Sequence, residues 1–253
     1  MTAGVVLVTG AARRIGRAIA LGLAGEGRAV AVHHHRSHEA ASHLVREIEA
    51  GGGRAVALAA DLADAAQSAA LVTAAAAALG PVTALVNNAS LFVPDEISTV
   101  TAESFEAHMR INLRAPLLLM QSFARALPAG AEGAIVNIID HRVLKLNPLC
   151  LSYTLSKAAL WTLTRTAAQA LAPRIRVNAV GPGPVLPNVH QDEALFHKEA
   201  AALPLGRGPS PNEIVDAVSF LLDAASVTGQ MIAVDGGQHL AWDTDDLKAG
   251  RGE

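Results

Sequence analysis

Tyr153 and Lys157 stand four positions apart in a stretch that reads as helix, and Asp140 lies thirteen residues before the tyrosine. Residues at i and i+4 share a helical face, so a phenol and an ammonium can point into one cleft. The chemistry such a pair offers is proton transfer. A phenol with a pKa near ~10 is a poor acid–base group at neutral pH, but a lysine cation beside it favours the phenolate and brings it closer to use. The same spacing also fits an ordinary surface pair. The assignment therefore rests on what else the chain supplies to position these groups and to bring a reactant beside them.

Val5–Val8 is a short apolar, β-branched run of the kind buried on both faces of a parallel sheet. The turn Thr9-Gly10-Ala11-Ala12-Arg13-Arg14-Ile15-Gly16 joins it to the helical pattern Ile15, Ile19, Leu23. Small residues thus meet a helix N-terminus, where backbone N–H groups and the dipole attract phosphate. Gly10, Arg13, Arg14, Ile15 and Gly16 are candidate dinucleotide contacts, with Arg14 standing where a fuller glycine motif carries a third glycine. A second strand over 29–33 leads into His34-His35-Arg36-Ser37, where an acid would hold the adenosine ribose of NAD. No acid stands there. Arg36 and Ser37, with His35 beside them and Arg13 or Arg14 nearby, offer donors suited to a 2′-phosphate, so the expected cofactor is NADPH. Consecutive strand residues face opposite sides, and the histidine triplet is not read as a metal site.

The alternation of strand and helix continues. A helix over 39–50 ends at Gly51-Gly52-Gly53, and a strand over Ala55–Ala59 is followed by Asp61-Leu62. After an alanine-rich helix to Leu79, a strand over 84–86 delivers Asn87-Asn88-Ala89-Ser90 toward a cofactor crevice. Residues 104–127 read as one long helix containing Pro116, which has no N–H for the Asn112 carbonyl. Near the buried stripe of Phe105 and Met109, that carbonyl would seek a water or ligand. A strand over 134–139 delivers Asp140, and a helix over 152–171 carries Tyr153 and Lys157. After a strand over 176–180, Gly181-Pro182-Gly183-Pro184 opens a weakly periodic segment, 184–203, expected to form a substrate lid. Pro211–Asp223 then forms a helix and Met231–Val234 a last strand, with a loose tail from about 243.

A chain of 253 residues, 51% hydrophobic and only 3% aromatic, predicts a single domain over 1–253 in which small side chains let helices pack closely on a sheet. The net charge of −3 gives no electrostatic footprint for nucleic acid. No apolar run reaches membrane-spanning length. The lone Cys150 cannot form an internal disulfide, and the N-terminus runs directly into Val5–Val8 rather than through a signal peptide. A cytoplasmic protein acting on a small molecule is expected.

Thr9-Gly10 to Gly16, Asp61, Asn87-Asn88-Ala89, Asn112, Tyr153 with Lys157, and Gly181-Pro182-Gly183 follow one another in an order that resembles the short-chain dehydrogenase/reductase family over nearly the whole chain. The resemblance implies a Rossmann-type doubly wound α/β fold, with about seven parallel strands and helices on both faces, and a homotetramer. It also implies nicotinamide chemistry along the glycine turn, His35 to Ser37, Asp61, Leu62, Asn88, Ala89, Ser90, Pro182 and Gly183. Tyr153 would be the proton donor, and Lys157 would bind the nicotinamide ribose while lowering the tyrosine pKa. Asn112 would hold a water connecting Lys157 to solvent.

Most members carry serine where this chain has Asp140. That aspartate, the Ala11 to Arg14 turn, His35-Arg36-Ser37 and Asn88-Ala89-Ser90-Leu91-Phe92 together resemble the pteridine reductase branch, including bacterial dihydromonapterin reductases. By that resemblance Phe92 stacks on a pterin, Arg14 sits near the pterin and the cofactor phosphates, and Asp140 and Tyr153 face the substrate. Reducing the C=N bond of a dihydropterin needs a proton on ring nitrogen, which Asp140 could supply or relay. Asp140 is accordingly expected to hold its proton more tightly than the ordinary ~3.9. The expected activity is NADPH-dependent hydride transfer to a 7,8-dihydropterin or dihydrofolate-like substrate. A generic carbonyl or 3-oxoacyl-thioester reductase shares the fold, the cofactor and Tyr153. From a different class, a non-catalytic dinucleotide-sensing protein is the further alternative, and intact Tyr153, Lys157 and Asn112 argue against it.

Overall fold

The computed structural model describes residues 4–187 and 192–242. Seven strands, Val5–Val8 (β1), Ala29–His34 (β2), Ala55–Ala59 (β3), Val82–Asn87 (β4), Gly133–Ile138 (β5), Ile175–Pro182 (β6) and Met231–Val234 (β7), form one sheet in the order β3-β2-β1-β4-β5-β6-β7. Every neighbouring pair is parallel. The order reverses between β1 and β4, and a crevice opens beyond the carboxyl ends of the strands on either side of that reversal.

Alternation along β1 assigns its side chains to two cores. Val6 and Val8 pack with Ile19 and Leu23 of helix α1 (Arg14–Gly25), Leu44 and Ile48 of α2 (His38–Ala50), and Ile214, Val218 and Leu221 of a helix over Pro211–Asp223. Val5 and Leu7 pack on the other face with residues of α3 (Ala65–Leu79) and of helices over Ala115–Ala126 and Leu151–Leu171. A strand covered on both faces is apolar except where a polar side chain finds a buried partner. That is why β1 reads as a continuous run, while β2 and β4 turn polar at their carboxyl ends, where His33 and Asn87 are hydrogen-bonded.

The long helix expected over 104–127 runs from Ala102 to Ala126 but is not a simple kinked α-helix. It comprises α4 (Ala102–Met109), a π-turn over Arg110–Arg114 and α5 (Ala115–Ala126), with the Ala115 N–H bonded to the Arg110 carbonyl five residues back. Pro116 occupies the first turn of α5, where a missing N–H is best tolerated, and the widened turn lies just before it. Helix α6 is Leu151–Leu171. Within the expected lid, residues 192–203 include an unforeseen helix, α7 (Glu193–Ala201), capped by Asp192, whose side chain accepts the Ala194 N–H. Residues 188–191 of that segment, and the tail from 243, lie outside the described residues. Helix α8 spans Pro211–Asp223 and carries a capping box between Ser210 and Glu213. Among the described residues, no helix is long and apolar enough to cross a membrane.

Candidate active site

The glycine turn between β1 and α1 is shaped for close approach. Gly10 has φ +61°, and a Cβ there would stand 2.9 Å from the Ala89 Cα. A Cβ at Gly16 would overlap the Gly10 carbonyl and the Asn88 amide. The turn is held from two sides. Asn88 Nδ2 donates to the Thr9 and Gly10 carbonyls at 2.8 and 3.1 Å, and Thr9 Oγ accepts the Asn88 and Ala89 N–H groups at 2.9 and 3.0 Å. From β2, His33 Nδ1 accepts the Gly10 N–H at 3.0 Å while Nε2 faces the Ala60 carbonyl at 3.1 Å. These partners place the proton on Nε2, and burial pushes the His33 pKa down to about 4, so the ring is neutral.

Arg14 adopts φ +55°, the left-handed region that a glycine at this point of the turn would occupy freely. Holding a non-glycine residue there costs about 1 kcal/mol or more. Its guanidinium donates to the Leu186 carbonyl at 3.2 Å, which keeps it on the crevice side facing the segment after β6. Arg13 is exposed beside it, and Ile15 is partly buried against the first core.

At the end of β2, His35 and Arg36 are exposed, and Ser37 precedes α2 without capping it. His35 Nε2 lies 3.8 Å from Asp61 Oδ2. Asp61 also accepts the Ala63 N–H at 2.9 Å. The Leu62 side chain belongs to the second core and its carbonyl accepts the Ser68 hydroxyl. Gly183, after β6, is required by contact, because a Cβ there would stand 2.7 Å from the Asp235 Cα. The Pro182 carbonyl faces His141 Nδ1 at 3.3 Å. The turn at Gly10 and Gly16, with an α1 N-terminus that the Arg13 side chain does not cap and basic side chains at the end of β2, fits a phosphorylated dinucleotide.

Tyr153 and Lys157 lie on α6, both buried, and meet Asp140 from the end of β5. The Tyr153 hydroxyl donates to Asp140 Oδ2 at 2.9 Å. Lys157 Nζ donates to the Ile138 carbonyl at 2.8 Å and stands 5.6 Å from the centre of the Tyr153 ring. Burial lowers the Lys157 pKa to about 8, with the Asp140 charge acting against that fall.

The structure reverses both proton expectations. Tyr153 is not eased toward phenolate: burial, then the Asp140 charge and hydrogen bond, raise its pKa well above the ordinary phenol range. Asp140 does not hold its proton more tightly. Burial favours the neutral acid, but it is outweighed by the bond from His141, the charges of Arg142 and His141, and the Arg142 backbone N–H at 2.8 Å. Its pKa is therefore lowered. His141 Nδ1 lies 3.1 Å from Oδ1, and the Arg142 guanidinium 3.2 Å from Oδ2. The two residues responsible directly follow Asp140 in sequence, and their basic character was the signal available there.

Asn112 is fully buried in the π-turn. Its side chain accepts the Leu91 N–H at 2.8 Å and the Ser90 hydroxyl at 3.2 Å, and donates to the Leu91 carbonyl and Ser156 Oγ, each at 2.9 Å. It thus clamps the loop after β4 to α6. That loop delivers Phe92, 37% exposed, whose ring meets Tyr153 edge to face at 4.7 Å and 85°. The Arg142 guanidinium lies 5.6 Å from the centre of the Phe92 ring. Asn87 points elsewhere, donating to Asn137 at 2.8 Å within the sheet. Among the described residues, no three His, Cys, Asp or Glu side chains are grouped to hold a metal.

A family described as Enoyl-(Acyl carrier protein) reductase matches residues 10–239. The 3-oxoacyl-[acyl-carrier-protein] reductase of Synechocystis sp. is 34% identical, covering 94% of this chain and 97% of its own. An uncharacterized oxidoreductase of Methylorubrum extorquens is 37% identical, covering 92% and 96%. Among solved structures, FolM alternative dihydrofolate reductase 1 from Brucella canis, complexed with NADP, superposes with a TM-score of 0.94 at 47% identity, covering 97% of this chain and 98% of that one. With a Tyr-x-x-x-Lys pair set beneath a glycine turn in a seven-stranded parallel sheet, and with these matches along almost its full length, the chain belongs to the short-chain dehydrogenase/reductase family of NAD(P)-dependent oxidoreductases.

Proposed function

We propose that this protein is an NADPH-dependent reductase of a pteridine-type substrate, a 7,8-dihydropterin or a dihydrofolate-like compound. The observation that carries the reading is an ionised Asp140 carboxylate 2.9 Å from the hydroxyl of the proton-donating tyrosine. Reducing a ketone builds negative charge on oxygen, which a carboxylate beside the proton donor opposes. Reducing a C=N bond proceeds through a protonated ring nitrogen, which the same carboxylate favours. Support also comes from the Brucella canis relative, named an alternative dihydrofolate reductase and crystallised with NADP.

Bound along the glycine turn, NADPH would supply the hydride. Gly10, Gly16, Asn88 and Ala89 shape its phosphate and ribose path, with Arg13, Arg14, Asp61, Ser90, Pro182 and Gly183 along its sides. Arg36 and Ser37, with His35, receive the 2′-phosphate. Lys157, held by the Ile138 carbonyl, presents its ammonium to the nicotinamide ribose. Phe92 forms the wall against which a flat heterocycle lies, with Arg14 across the crevice. Tyr153 holds the proton at its hydroxyl and gives it to the ring nitrogen. Asp140 is not the acid: its charge favours the protonated ring nitrogen, while it makes Tyr153 hold its own proton more tightly.

The Synechocystis relative, named a 3-oxoacyl-[acyl-carrier-protein] reductase, favours reduction of an acyl thioester as the second reading. We place the protein in the cytoplasm as a homotetramer. The exposed Phe105 and Leu117 flank an open groove of about 370 Å³ on α4, the π-turn and α5, a surface suited to a second copy. NADPH oxidation should be measured against 7,8-dihydropterins, dihydrofolate, simple ketones and a 3-oxoacyl thioester. Turnover of the pterins is expected, and efficient ketone or thioester reduction with no pterin turnover would overturn the reading.

A further inference from the structure

Helix α6 carries the catalytic tyrosine at its third residue, yet lacks a cap of its own. Cys150, the residue before it, has φ +58° and makes no side-chain capping bond. The first turn of a helix leaves N–H groups without partners inside the helix, and a buried start must find them elsewhere. Here they come from the loop after β4. The Asp95 carbonyl accepts the Leu151 N–H at 2.9 Å, and Asp95 Oδ1 accepts the Ser152 N–H at 2.9 Å, from 57 positions away in sequence. The other carboxylate oxygen, Oδ2, accepts the Ser104 hydroxyl of α4 at 2.9 Å. Asp95 is 7% exposed. Burial works to raise its pKa, but the bonds from Ser152 and Ser104 outweigh burial and hold the carboxyl below the ordinary range. An ionised carboxylate at a helix N-terminus is also favoured by the helix dipole.

The same loop carries Phe92, and its neighbours are tied down in alternation. Leu91 is gripped by Asn112 through both its N–H and its carbonyl. The Val93 N–H donates to Nε2 of the fully buried His108 at 3.2 Å, while His108 Nδ1 faces the Ser104 carbonyl at 2.8 Å. Ser104 therefore serves both straps. Residues 91, 93 and 95 are fixed to the body of the protein, and Phe92 is the residue between them left facing Tyr153.

We propose that Asp95 is a positioning residue for the reaction: by capping α6 from the Phe92 loop, it fixes the Tyr153 hydroxyl and the Phe92 wall at one mutual distance, with Ser104 and His108 completing the strap. The part concerning Phe92 rests on the substrate reading given above. The part concerning Tyr153 does not. The glycine turn and the end of β2, which hold the phosphates, are built from other residues, and Lys157, one turn beyond Tyr153 on α6, has its own anchor in the Ile138 carbonyl at 2.8 Å, so loss of the strap separates turnover from cofactor binding. Misplacement of a reacting group by about an ångström can cost on the order of a hundredfold.

The test is Asp95→Ala and Asp95→Asn, measured for NADPH dissociation constant, melting temperature, and kcat and KM on a dihydropterin and on any ketone the wild type reduces. Asp95→Ala is expected to keep NADPH affinity within about twofold while losing at least about tenfold in kcat/KM, through kcat on either substrate and additionally through KM on the pterin. Asp95→Asn keeps an acceptor for the Ser152 N–H, and the Ser104 hydroxyl can turn to pair with its amide, so it should recover most of the loss. Near-wild-type turnover in Asp95→Ala would overturn the proposal. So would an equal loss of cofactor affinity and turnover, or an asparagine variant as impaired as the alanine one. Should Asp95→Ala not fold, Ser104→Ala replaces it, with a fall of about threefold in kcat/KM expected and no change counting against the strap. A wild type that turns over only ketones refutes the pterin assignment alone, since the tyrosine arm is still read on the ketone.

Discussion

Asp140 and Tyr153 hold one proton between them, and it resides on the tyrosine. Burial drives the tyrosine upward, while His141 and Arg142 hold the carboxyl down. The hydroxyl at 2.9 Å from Oδ2 is therefore the donor and the carboxylate the acceptor. Tyr153→Phe should abolish turnover while leaving the NADPH dissociation constant within about threefold, because the phenol supplies the proton and not the cofactor cradle. A variant that kept most of its kcat would remove Tyr153 from the mechanism. Lys157 is 2% exposed, and a fall from 10.5 to about 8 corresponds to roughly 3 kcal/mol against the protonated form. The unfolded chain binds this proton more tightly than the folded one, so the penalty is complete below pH 8 and fades as pH rises toward 10.5. Lys157→Met also leaves the Ile138 carbonyl without its partner, at about 1–2 kcal/mol. The variant should therefore be inactive yet more stable by about 1–2 kcal/mol at pH 7, and that advantage should vanish above pH 10. Denaturant unfolding at both pH values decides this, and a variant less stable than wild type at pH 7 would contradict it.

At the scale of the elements, the carboxyl ends of neighbouring strands supply the site, and their turns are braced by groups far away in sequence. His33 at the end of β2 accepts the Gly10 N–H and stays neutral to about pH 4, whereas the unfolded chain protonates it below 6.5. Its contribution is complete above pH 6.5 and is lost as pH falls toward 4, amounting to roughly 3 kcal/mol. His33→Gln preserves an acceptor and a donor without titrating, so denaturation midpoints of the variant should fall less steeply over that window. Parallel slopes would show that His33 does not control it. Three residues further along, Arg36→Asp should reverse cofactor preference toward NADH, because each charge-assisted bond to a 2′-phosphate is worth about 1.5–3 kcal/mol. Equal dissociation constants for the two reduced cofactors in the wild type would sink that assignment. Strands were legible because burial on both faces demands unbroken apolar runs, as in Val5–Val8, and α8 because Pro211 marks its start. Helix α7 was not, since its apolar residues do not gather on one face. The π-turn was half legible: Pro116 announced a disturbed ladder, while the Asn112 side chain found its partners at Leu91 and Ser156, which no local pattern reveals.

At the scale of the whole molecule, the reversal of strand order between β1 and β4 brings the glycine turn, the Phe92 loop and the Asp140 strand end to one side of the sheet. The identities of Tyr153, Lys157 and Asp140 could be read directly, because their spacing survives as sequence. Their charge states could not, because these depend on burial and on partners the fold brings together. The fold and cofactor cradle are common to reductases of several substrate classes, so the substrate must be argued from the one carboxylate that differs in kind from a neutral hydroxyl. The most direct measurement is kcat/KM of wild type and Asp140→Ser, side by side, on a 7,8-dihydropterin and on a 3-oxoacyl thioester, with NADPH saturating. A crossing is expected: the serine variant loses at least about tenfold on the dihydropterin, equivalent to ~1.4 kcal/mol of transition-state stabilisation, and holds or gains on the thioester. A serine variant with full pterin activity, or one that loses equally on both substrates, would contradict it.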